Sequence, residues 1–380
     1  MDSKEYLTNK SFCPIPWTGM YVHPDGAIRN CVVSYEDNGN LIDQNLQDIL
    51  HGEKTKSTKQ QMLNGQTPYT CKACYDLEVN TNNYNVNSSR IYYLKELKSV
   101  PKDLYNDIDN FDLYHVDVRW NNTCNHACVY CGPRDSSKWA TELKIYNQEP
   151  SEQRTQELKD YIYSKASQLK NVYMAGGEPL LMKENEEFLK LLLDVNPDVQ
   201  LRINTNLSKT HTKVFDLACK FKNVHWTISV ESIDEQFEYI RYGGVWADFL
   251  DNLNKINQLG HLISFNMMWF VLNYRSIFDC VDYLKSLGFH NNSFVVSPVT
   301  GPPWYDVRNL PESKIDELNK KLVTELEATP GFLLENSYRN MLKHLNSAFS
   351  KDFDTTLAKI QELDSRRNLN SKETFPEFYG

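Results

Sequence analysis

The sequence predicts an α/β protein built around an open, partial (β/α)6 barrel, with a small cysteine-rich module before it and helices after it. Three observations support this prediction. Six apolar or β-branched runs alternate with helical patterns between residues 113 and 299. Seven of the nine cysteines fall into groups at two places in the chain. Residues 311–380 form a charged segment with helical periodicity.

The predicted strands cover 113–121, 171–177, 199–206, 224–232, 261–272 and 292–299. The predicted helices cover 151–169, 184–195, 209–221, 234–258, 276–287 and 312–328. Strands that alternate with helices are typical of a parallel sheet with helices outside it. Six units are too few for a closed eight-stranded TIM barrel. A partial, TIM-like barrel is therefore favoured over a doubly wound sheet, although periodicity does not separate the two.

The first part of the chain has a different pattern. Two short apolar runs flank Pro24-Asp25-Gly26, which is typical of a β-hairpin turn, and a helical pattern follows near 44–63. A CxxC pair comes next. We expect a hairpin/helix module over residues 1–110, the barrel over 111–310 and a helical extension over 311–380.

Composition narrows the possible classes of function. The chain has 380 residues, 41% of them hydrophobic and 24% charged, with a formal net charge of −9. No apolar run is long enough to span a bilayer, and the start lacks a signal-peptide pattern. These features predict a cytoplasmic protein and argue against a membrane partner. The negative charge argues against broad contact with nucleic acid, which requires Lys and Arg at phosphates.

Cysteine usage points to bound metal. Thiols stay reduced in the cytoplasm, so grouped cysteines are expected to be ligands rather than disulfides. Cys219 and Cys280 stand alone within helical patterns, and we expect both to be buried as small apolar side chains.

The loop after the first barrel strand carries Cys124, Cys128 and Cys131 in a CxxxCxxC pattern. Three thiolates on a [4Fe–4S] cube leave one iron without a protein ligand, which is the arrangement of an open catalytic metal site. The loop leaves the carboxyl end of a strand, the face on which β/α barrels carry their chemistry. The alternatives are a zinc site or a structural thiol cluster.

This pattern resembles the signature of the radical S-adenosylmethionine (radical SAM) superfamily, and the resemblance extends over about 113–300. It implies that Cys124, Cys128 and Cys131 hold the catalytic cluster and that Tyr130 packs near the adenine of S-adenosylmethionine. A GGEP motif at the second strand end implies contacts with the methionine amino group. That motif comprises Gly176, Gly177, Glu178 and Pro179. A plain turn is the alternative.

Further polar residues follow the third and fourth strands. Asn204 and Asn206 resemble the ribose-contacting position of the superfamily, and polar strand ends are the alternative. Ser229 and Arg241 resemble the residues that hold the ribose and carboxylate of the cofactor, and Glu231, at the same strand end as Ser229, is a further candidate cofactor contact. Arg suits a carboxylate because its guanidinium binds in a bidentate way. A surface ion pair is the alternative for Arg241.

A second set of cysteines lies in the front module: Cys13, Cys31, Cys71 and Cys74. Its C-x12-G-x4-C spacing, followed by CxxC, resembles the auxiliary-cluster module called twitch, a shortened SPASM domain. The resemblance implies that all four thiolates close an auxiliary [4Fe–4S] cluster. A zinc site and a cluster with only three cysteine ligands remain alternatives. In better-known relatives this module follows the barrel, whereas here it precedes it.

The resemblance implies reductive cleavage of S-adenosylmethionine to a 5′-deoxyadenosyl radical, which abstracts hydrogen from a substrate. It also implies an electron donor such as flavodoxin or ferredoxin. We expect oxidative modification of a peptide or protein. One alternative is oxidation or epimerisation of a sugar-like or other small metabolite, and another is a non-enzymatic metal-binding scaffold.

Overall fold

The structure is a computed structural model that describes residues 10–79, 88–95, 100–330 and 333–380. It has the α/β class expected from the sequence, with parallel strands and helices in alternation along the barrel segment. The chain divides into two compact units. The first comprises the residues up to Thr123 together with Pro133–Ile203 and His211–Val224. The second comprises Cys124–Gly132, Asn204–Thr210 and His225–Gly380.

Six strands pair in the first unit in the order β3-β2-β1-β4-β5-β6. They are β1 (Gly19–Val22), β2 (Ala27–Arg29), β3 (Gly39–Asn40), β4 (His115–Val118), β5 (Asn171–Met174) and β6 (Gln200–Thr205), the last pairing through its first four residues. The pairs β1–β4, β4–β5 and β5–β6 are parallel. Alternate residues such as Val118, Met174 and Ile203 are fully buried, because successive side chains of a strand point to opposite faces.

The predicted hairpin is confirmed. Strands β1 and β2 are antiparallel, and the His23 N–H donates to the Ala27 carbonyl at 2.9 Å across the turn. Gly26 has φ +82°, in the left-handed region that favours glycine. Because β1 also pairs with β4, the hairpin continues the sheet of the first unit instead of standing apart from it.

The helices of the first unit are short in the front module and longer after β4. They are α1 (Ile15–Thr18), α2 (Leu46–Leu50), α3 (Glu53–Leu63), α4 (Lys72–Val79), α5 (Ser89–Lys95), α6 (Ser137–Leu143), α7 (Glu152–Ser164), α8 (Lys183–Val195) and α9 (Lys213–Ala218). Several of these helices begin with a side-chain N-cap. The Ser136 and Thr212 hydroxyls, for example, accept hydrogen bonds from backbone N–H groups of the first turn.

The second unit contains three parallel strands, β7 (Val224–Ser229), β8 (Leu262–Trp269) and β9 (Phe294–Pro298), paired in that order. Its helices are α10 (Asp234–Ile240), α11 (Trp246–Gln258), α12 (Ser276–Ser286), α13 (Glu312–Ala328), α14 (Leu333–Leu345), α15 (Phe353–Arg367), α16 (Ser371–Thr374) and α17 (Pro376–Tyr379).

The expected single helix over 234–258 is wrong, because the chain breaks it between α10 and α11. Arg241, the residue after α10, has φ −101° and ψ 50°, and Gly243 has φ +104°. A glycine in that conformation stops a helix. Because of the break, the backbone carbonyls of Ile240 and Tyr242 are available to bind the loop described below.

The C-terminal helices pack within the second unit. The Tyr239 hydroxyl on α10 bonds the Asp364 carboxylate on α15 at 2.7 Å, and Gln236 donates to Glu377 on α17 at 3.1 Å. Of the two isolated cysteines, Cys280 is buried as expected, whereas Cys219 is only partly buried. None of the helices in the described part of the chain is both long and apolar enough to cross a bilayer.

An aromatic cluster supports the cysteine module. Phe12, Trp17, Met62 and Tyr105 are buried together, and Cys13 packs against them. Beside this cluster lies Lys59, which is fully buried and whose ammonium donates to the carbonyls of Ile108 at 3.0 Å and Asn110 at 2.7 Å. Burial lowers the pKa of Lys59 to about 8, although the Asp109 carboxylate partly opposes that change.

We predict that this lysine contributes a rise in the free energy of unfolding as the pH increases through the alkaline range. The unfolded chain keeps an ordinary lysine pKa and so binds more protons than the folded chain between about pH 8 and 10.5. The free energy of unfolding of the wild type relative to that of Lys59→Met should therefore rise by about 3 kcal/mol across that window. Urea unfolding at several pH values should show this rise in the difference between the two proteins, because they share all other titrating groups. The exposed Lys190→Met is the matched control, and an equal slope in both variants would contradict the prediction.

Candidate active site

The three-cysteine loop is held by the helix break of the second unit. The Ala127 N–H donates to the Tyr242 carbonyl at 2.9 Å, and the Val129 N–H donates to the Ile240 carbonyl at 2.8 Å. These carbonyls are available because α10 ends at Ile240 and the glycines that follow turn the chain away. The break thus fixes the middle of the loop between Cys124 and Cys131.

Hydrogen-bond donors surround two of the three thiols. The Asn206 amide lies 3.9 Å from Cys124 Sγ, and the His126 N–H donates to the same sulfur at 3.4 Å. Arg241 Nη1 lies 3.7 Å from Cys128 Sγ. Burial raises the pKa of the Cys128 thiol, and the Arg241 charge opposes that rise. These donors would stabilise negative charge on sulfur.

A buried network joins the loop to the end of β7. The Tyr130 hydroxyl donates to Glu231 Oε1 at 2.7 Å, and Arg241 binds both carboxylate oxygens of Glu231, at 2.7 and 3.0 Å. The side chains of Glu231 and Arg241 are 0% and 4% exposed. Burial lowers the pKa of Arg241, but the charge and hydrogen bond of Glu231 together with Tyr130 and Cys128 raise it by more, so that its pKa lies above the ordinary arginine value. Tyr130 also contacts Phe270 edge-on, with ring centroids 5.6 Å apart.

The strand-end asparagines and serine lie in the same unit. Asn206 bonds Asn125 of the loop at 3.1 Å, and Asn125 donates to Ser208 at 2.8 Å. The side-chain oxygen of Asn204 is buried and has no hydrogen-bond partner among the residues that the structure describes. Ser229 is half-buried at the end of β7. Asn125 and Ser208 are contacts that the sequence analysis missed, since short polar residues in a loop carry no distinctive pattern.

The GGEP motif lies in the first unit and braces the chain that leads into Cys124. The Glu178 N–H donates to the Thr123 carbonyl at 2.7 Å, and Gly176 has φ +114°. The Glu178 carboxylate is buried and accepts from the Leu180 N–H at 3.1 Å, which caps the turn that Pro179 begins. The motif therefore has a local structural role in addition to the cofactor contact predicted for it.

Gly177 leaves no room for a side chain. A Cβ there would lie 2.3 Å from the Thr123 carbonyl oxygen and 2.6 Å from that of Asn122. We predict that Gly177→Ala lowers the free energy of unfolding by about 1–3 kcal/mol, because backbone must move to admit the methyl group. Urea denaturation should measure this loss. Gly301→Ala is the control, since a Cβ at Gly301 meets nothing within 4 Å. Equal stability of the two variants would refute the bracing role.

The four cysteines of the front module lie within electrostatic reach of one another. Burial raises the pKa of Cys13, and the charges of Cys71, Cys31 and Cys74 raise it further. Burial likewise raises the pKa of Cys31 to about 12. No three His, Cys, Asp or Glu side chains in the described residues are close enough to bind one metal ion. A cube bonds each thiolate to a different iron and does not require that closeness.

Arg90 ties together two of the chain segments that carry these cysteines. Its Nη1 donates to the Phe12 carbonyl, next to Cys13, at 2.8 Å. Its Nε and Nη2 bind the Glu78 carboxylate on α4 at 3.0 and 2.6 Å, and Cys74 lies on the same helix. A buried, bidentate pair of this kind fixes geometry as well as contributing energy. Arg90 is thus a supporting residue for the four-thiol site.

Comparison with known protein families agrees with this geometry. Residues 118–306 match the model of the radical SAM superfamily, and residues 13–75 match that of an iron–sulfur cluster-binding domain, SPASM. The two matches contain the two cysteine groups.

The chain belongs to the radical SAM superfamily. Its catalytic cofactors are accordingly a [4Fe–4S] cluster and S-adenosylmethionine, and its SPASM-type module precedes the radical SAM domain. Two curated relatives are GTP 3′,8-cyclases. That of Sulfurimonas denitrificans is 25% identical over 211 residues, which cover 51% of this chain and 62% of the relative. That of Aliarcobacter butzleri is 26% identical over 172 residues, which cover 44% and 50%.

This radical SAM chain therefore spans about half to three-fifths of the length of these curated relatives. Two solved structures are also similar. AdoMet-bound anSMEcpe has a TM-score of 0.42 at 13% identity, covering 55% of this chain and 59% of that one. S-adenosylmethionine-bound SuiB of Streptococcus suis has a TM-score of 0.43 at 13% identity, covering 73% and 60%.

The residues of the radical SAM loop suit a cube with one open iron. The loop offers three thiols, and donors at Cys124 and Cys128 suit the charge of reduced iron–sulfur centres. The individual roles predicted for Tyr130, Asn204, Asn206, Ser229, Glu231 and Arg241 toward the cofactor stay predictions. What the structure adds is that Arg241 and Glu231 bind each other and position the loop.

We predict that Glu231→Gln destabilises the radical SAM chain by about 3 kcal/mol, because it leaves the buried Arg241 charge without its counterion. Urea unfolding of the cluster-loaded protein should measure the loss. The exposed pair of Lys351 with Glu312, whose side chain is 74% exposed, supplies the control. Glu312→Gln should cost less than about 1 kcal/mol. If both variants lost the same small amount, the network would not hold the loop.

Proposed function

We propose that this radical SAM enzyme reductively cleaves S-adenosylmethionine and uses the resulting 5′-deoxyadenosyl radical to abstract hydrogen from a small polar metabolite, which it oxidises. The observation that carries the first part is the three-thiol loop with Arg241 against one sulfur and Asn206 near another. When bound, the cluster and S-adenosylmethionine supply one electron and a carbon radical.

The protein's own residues would bind and orient these groups. Cys124, Cys128 and Cys131 would hold three irons of the cube. Arg241 and Glu231 position the loop, and their burial keeps water from that side of the site. The buried oxygen of Asn204 accepts no hydrogen bond from the described part of the chain, so it is available to accept from a cofactor hydroxyl.

The front module would complete a two-electron oxidation. Hydrogen abstraction leaves a substrate radical, which must then lose one electron and one proton to give an oxidised product. Cys13, Cys31, Cys71 and Cys74 would hold the auxiliary cluster that accepts the electron. Four thiolates close a cube, so this cluster suits electron transfer better than binding of S-adenosylmethionine.

For the substrate, one feature of the first unit favours the small-metabolite alternative over the peptide expected from the sequence. The strand face that bears Asp117 and Tyr173 is lined with polar and charged side chains, whereas the opposite face is apolar. A polar strand face suits contact with a hydroxyl-bearing small molecule. The relatives named GTP 3′,8-cyclase act on a molecule of that class. Peptide modification stays a prediction.

The test is anaerobic incubation with dithionite and S-adenosylmethionine, followed by measurement of 5′-deoxyadenosine. We predict formation by the wild type and by Cys280→Ala, and none above background when Cys124, Cys128 and Cys131 are replaced by Ala. The first change removes a buried cysteine outside both groups, so it controls for the loss of a thiol.

Iron analysis of the same samples separates the alternatives for the two cysteine groups. Two cubes give about eight irons per wild-type chain and about four in the triple variant. Four irons and one zinc per wild-type chain would indicate that one of the two cysteine groups binds zinc. No 5′-deoxyadenosine from iron-loaded wild type would favour the non-enzymatic scaffold and overturn the proposal.

A further inference from the structure

Helix α10 of the second unit depends on neighbouring segments for its position. It has seven residues, which make about two turns, and its N-cap residue is Ile233, whose side chain cannot accept a hydrogen bond. A helix of this length is not stable by itself in water. The carbonyls of Ile240, its last residue, and of Tyr242 nevertheless hold the three-cysteine loop. Whatever fixes α10 therefore also fixes that loop.

One side of α10 packs against the helix that follows it. Phe237 is 1% exposed, and its ring centroid lies 5.1 Å from that of Trp246 and 5.0 Å from that of Phe249 on α11. The Trp246 N–H donates to the Glu238 carboxylate at 2.9 Å. These contacts attach α10 to α11.

The other side of α10 faces the C-terminal helices. It does so through residues that are three positions apart, a spacing that places side chains on one side of a helix: Gln236, Tyr239 and Tyr242. The Gln236 amide donates to the Thr374 carbonyl at 3.0 Å and to the Glu377 carboxylate at 3.1 Å. The first turn of α10 is thus bonded to α16 and α17.

The end of α10 is held by α15 and the chain that follows it. The Tyr239 hydroxyl donates to the Asp364 carboxylate at 2.7 Å, and its ring meets Phe375 edge-on, with centroids 5.0 Å apart. Past the end of the helix, the Arg367 guanidinium lies 4.5 Å from the Tyr242 ring centroid. A guanidinium over an aromatic ring is an attractive contact. The helix break is therefore held next to α15.

We call the residues that make these contacts the C-terminal brace: Asp364, Arg367, Thr374, Phe375 and Glu377. The brace is also bound to parts of the second unit other than α10. The Tyr274 hydroxyl donates to the Glu377 carbonyl at 2.9 Å, and the Ser371 N–H donates to Asp364 at 3.0 Å. Phe375 is fully buried. Because the brace is bound on several sides, it can resist movement of α10.

We infer that the C-terminal brace positions the three-cysteine loop for the catalytic cluster. It fixes the two carbonyls that hold the loop, together with Arg241, whose Nη1 lies 3.7 Å from Cys128 Sγ. A cluster site keeps its geometry only when the residues around its ligands are themselves held. The brace acts through α10, so its members are positioning residues. Its effect is on the cluster and does not depend on the substrate.

The Tyr239→Phe variant of the full, cluster-loaded chain tests this role, because it removes the hydroxyl bonded to Asp364 and keeps the ring. Anaerobic release of iron to an excess of an Fe(II) chelator, after reduction by dithionite, measures how firmly each cluster is held. The phase that is missing when the three loop cysteines are replaced by Ala belongs to the catalytic cluster. We expect that phase to be about fivefold faster in Tyr239→Phe, the effect of one lost hydrogen bond, and the auxiliary phase to be unchanged.

Electron paramagnetic resonance gives a readout that a general loss of stability would not change. The signal of the reduced catalytic cluster is identified by its change when S-adenosylmethionine is added. A loop that adopts more arrangements gives its cluster a wider range of surroundings, so this signal should be broader in Tyr239→Phe. Gln236→Met removes the hydrogen bonds to Thr374 and Glu377 and should have both effects as well.

Tyr338→Phe is the matched control. Tyr338 is a buried tyrosine of α14 in the same unit, and it packs against Phe278 of α12, with ring centroids 5.7 Å apart. Its release rate and linewidth should equal those of the wild type.

Two results would overturn the inference. One is wild-type release rates and linewidths in both Tyr239→Phe and Gln236→Met. The other is equal acceleration of iron release by Tyr338→Phe, since that would indicate loss of stability rather than of positioning. Iron release is measured without S-adenosylmethionine, so a failure of the cleavage reaction proposed above would be detected separately.

Discussion

The buried contact between Arg241 and Glu231 connects the helix break to the three-cysteine loop. A paired charge buried in protein is stable only when its partners stay in place, so this pair resists movement of either segment. Tyr130 bonds Glu231 from within the loop, and Arg241 reaches the Cys128 sulfur. The backbone carbonyls that the break exposes hold Ala127 and Val129. The loop therefore has a defined shape through contacts within the second unit.

A second constraint acts in the first unit, where the strands separate apolar from polar side chains. One face of β4, β5 and β6 is buried and apolar, and the other carries Asp117, Tyr173 and Arg202. Arg90 stabilises the cysteine module through hydrogen bonds to the Phe12 carbonyl and the Glu78 carboxylate. In the sheet and in the cysteine module, charged side chains are bound to fixed partners. The chemistry proposed for the chain depends on the groups that lie beside these side chains.

Much of the fold could be predicted from the sequence, because alternating strand and helix patterns and turn residues act locally. The hairpin at Asp25-Gly26 and the parallel pairing of successive barrel strands within each unit are examples. The break after Ile240 was missed, since Asp234–Ile240 and Trp246–Gln258 share one helical periodicity and only Gly243-Gly244 signals the interruption. The two groups of cysteines were recognisable in the sequence as motifs. The Arg241–Glu231 contact was not, because it depends on which strand and helix ends meet in three dimensions.

The central claim is that the 124–131 loop holds a cube with one iron open to S-adenosylmethionine. Mössbauer spectroscopy of the ⁵⁷Fe-loaded protein, before and after addition of S-adenosylmethionine, tests it most directly. The account predicts that about one iron in eight changes its isomer shift, because only the iron without a cysteine ligand can bind the amino and carboxylate groups of methionine. Spectra that stay identical after the addition would contradict it.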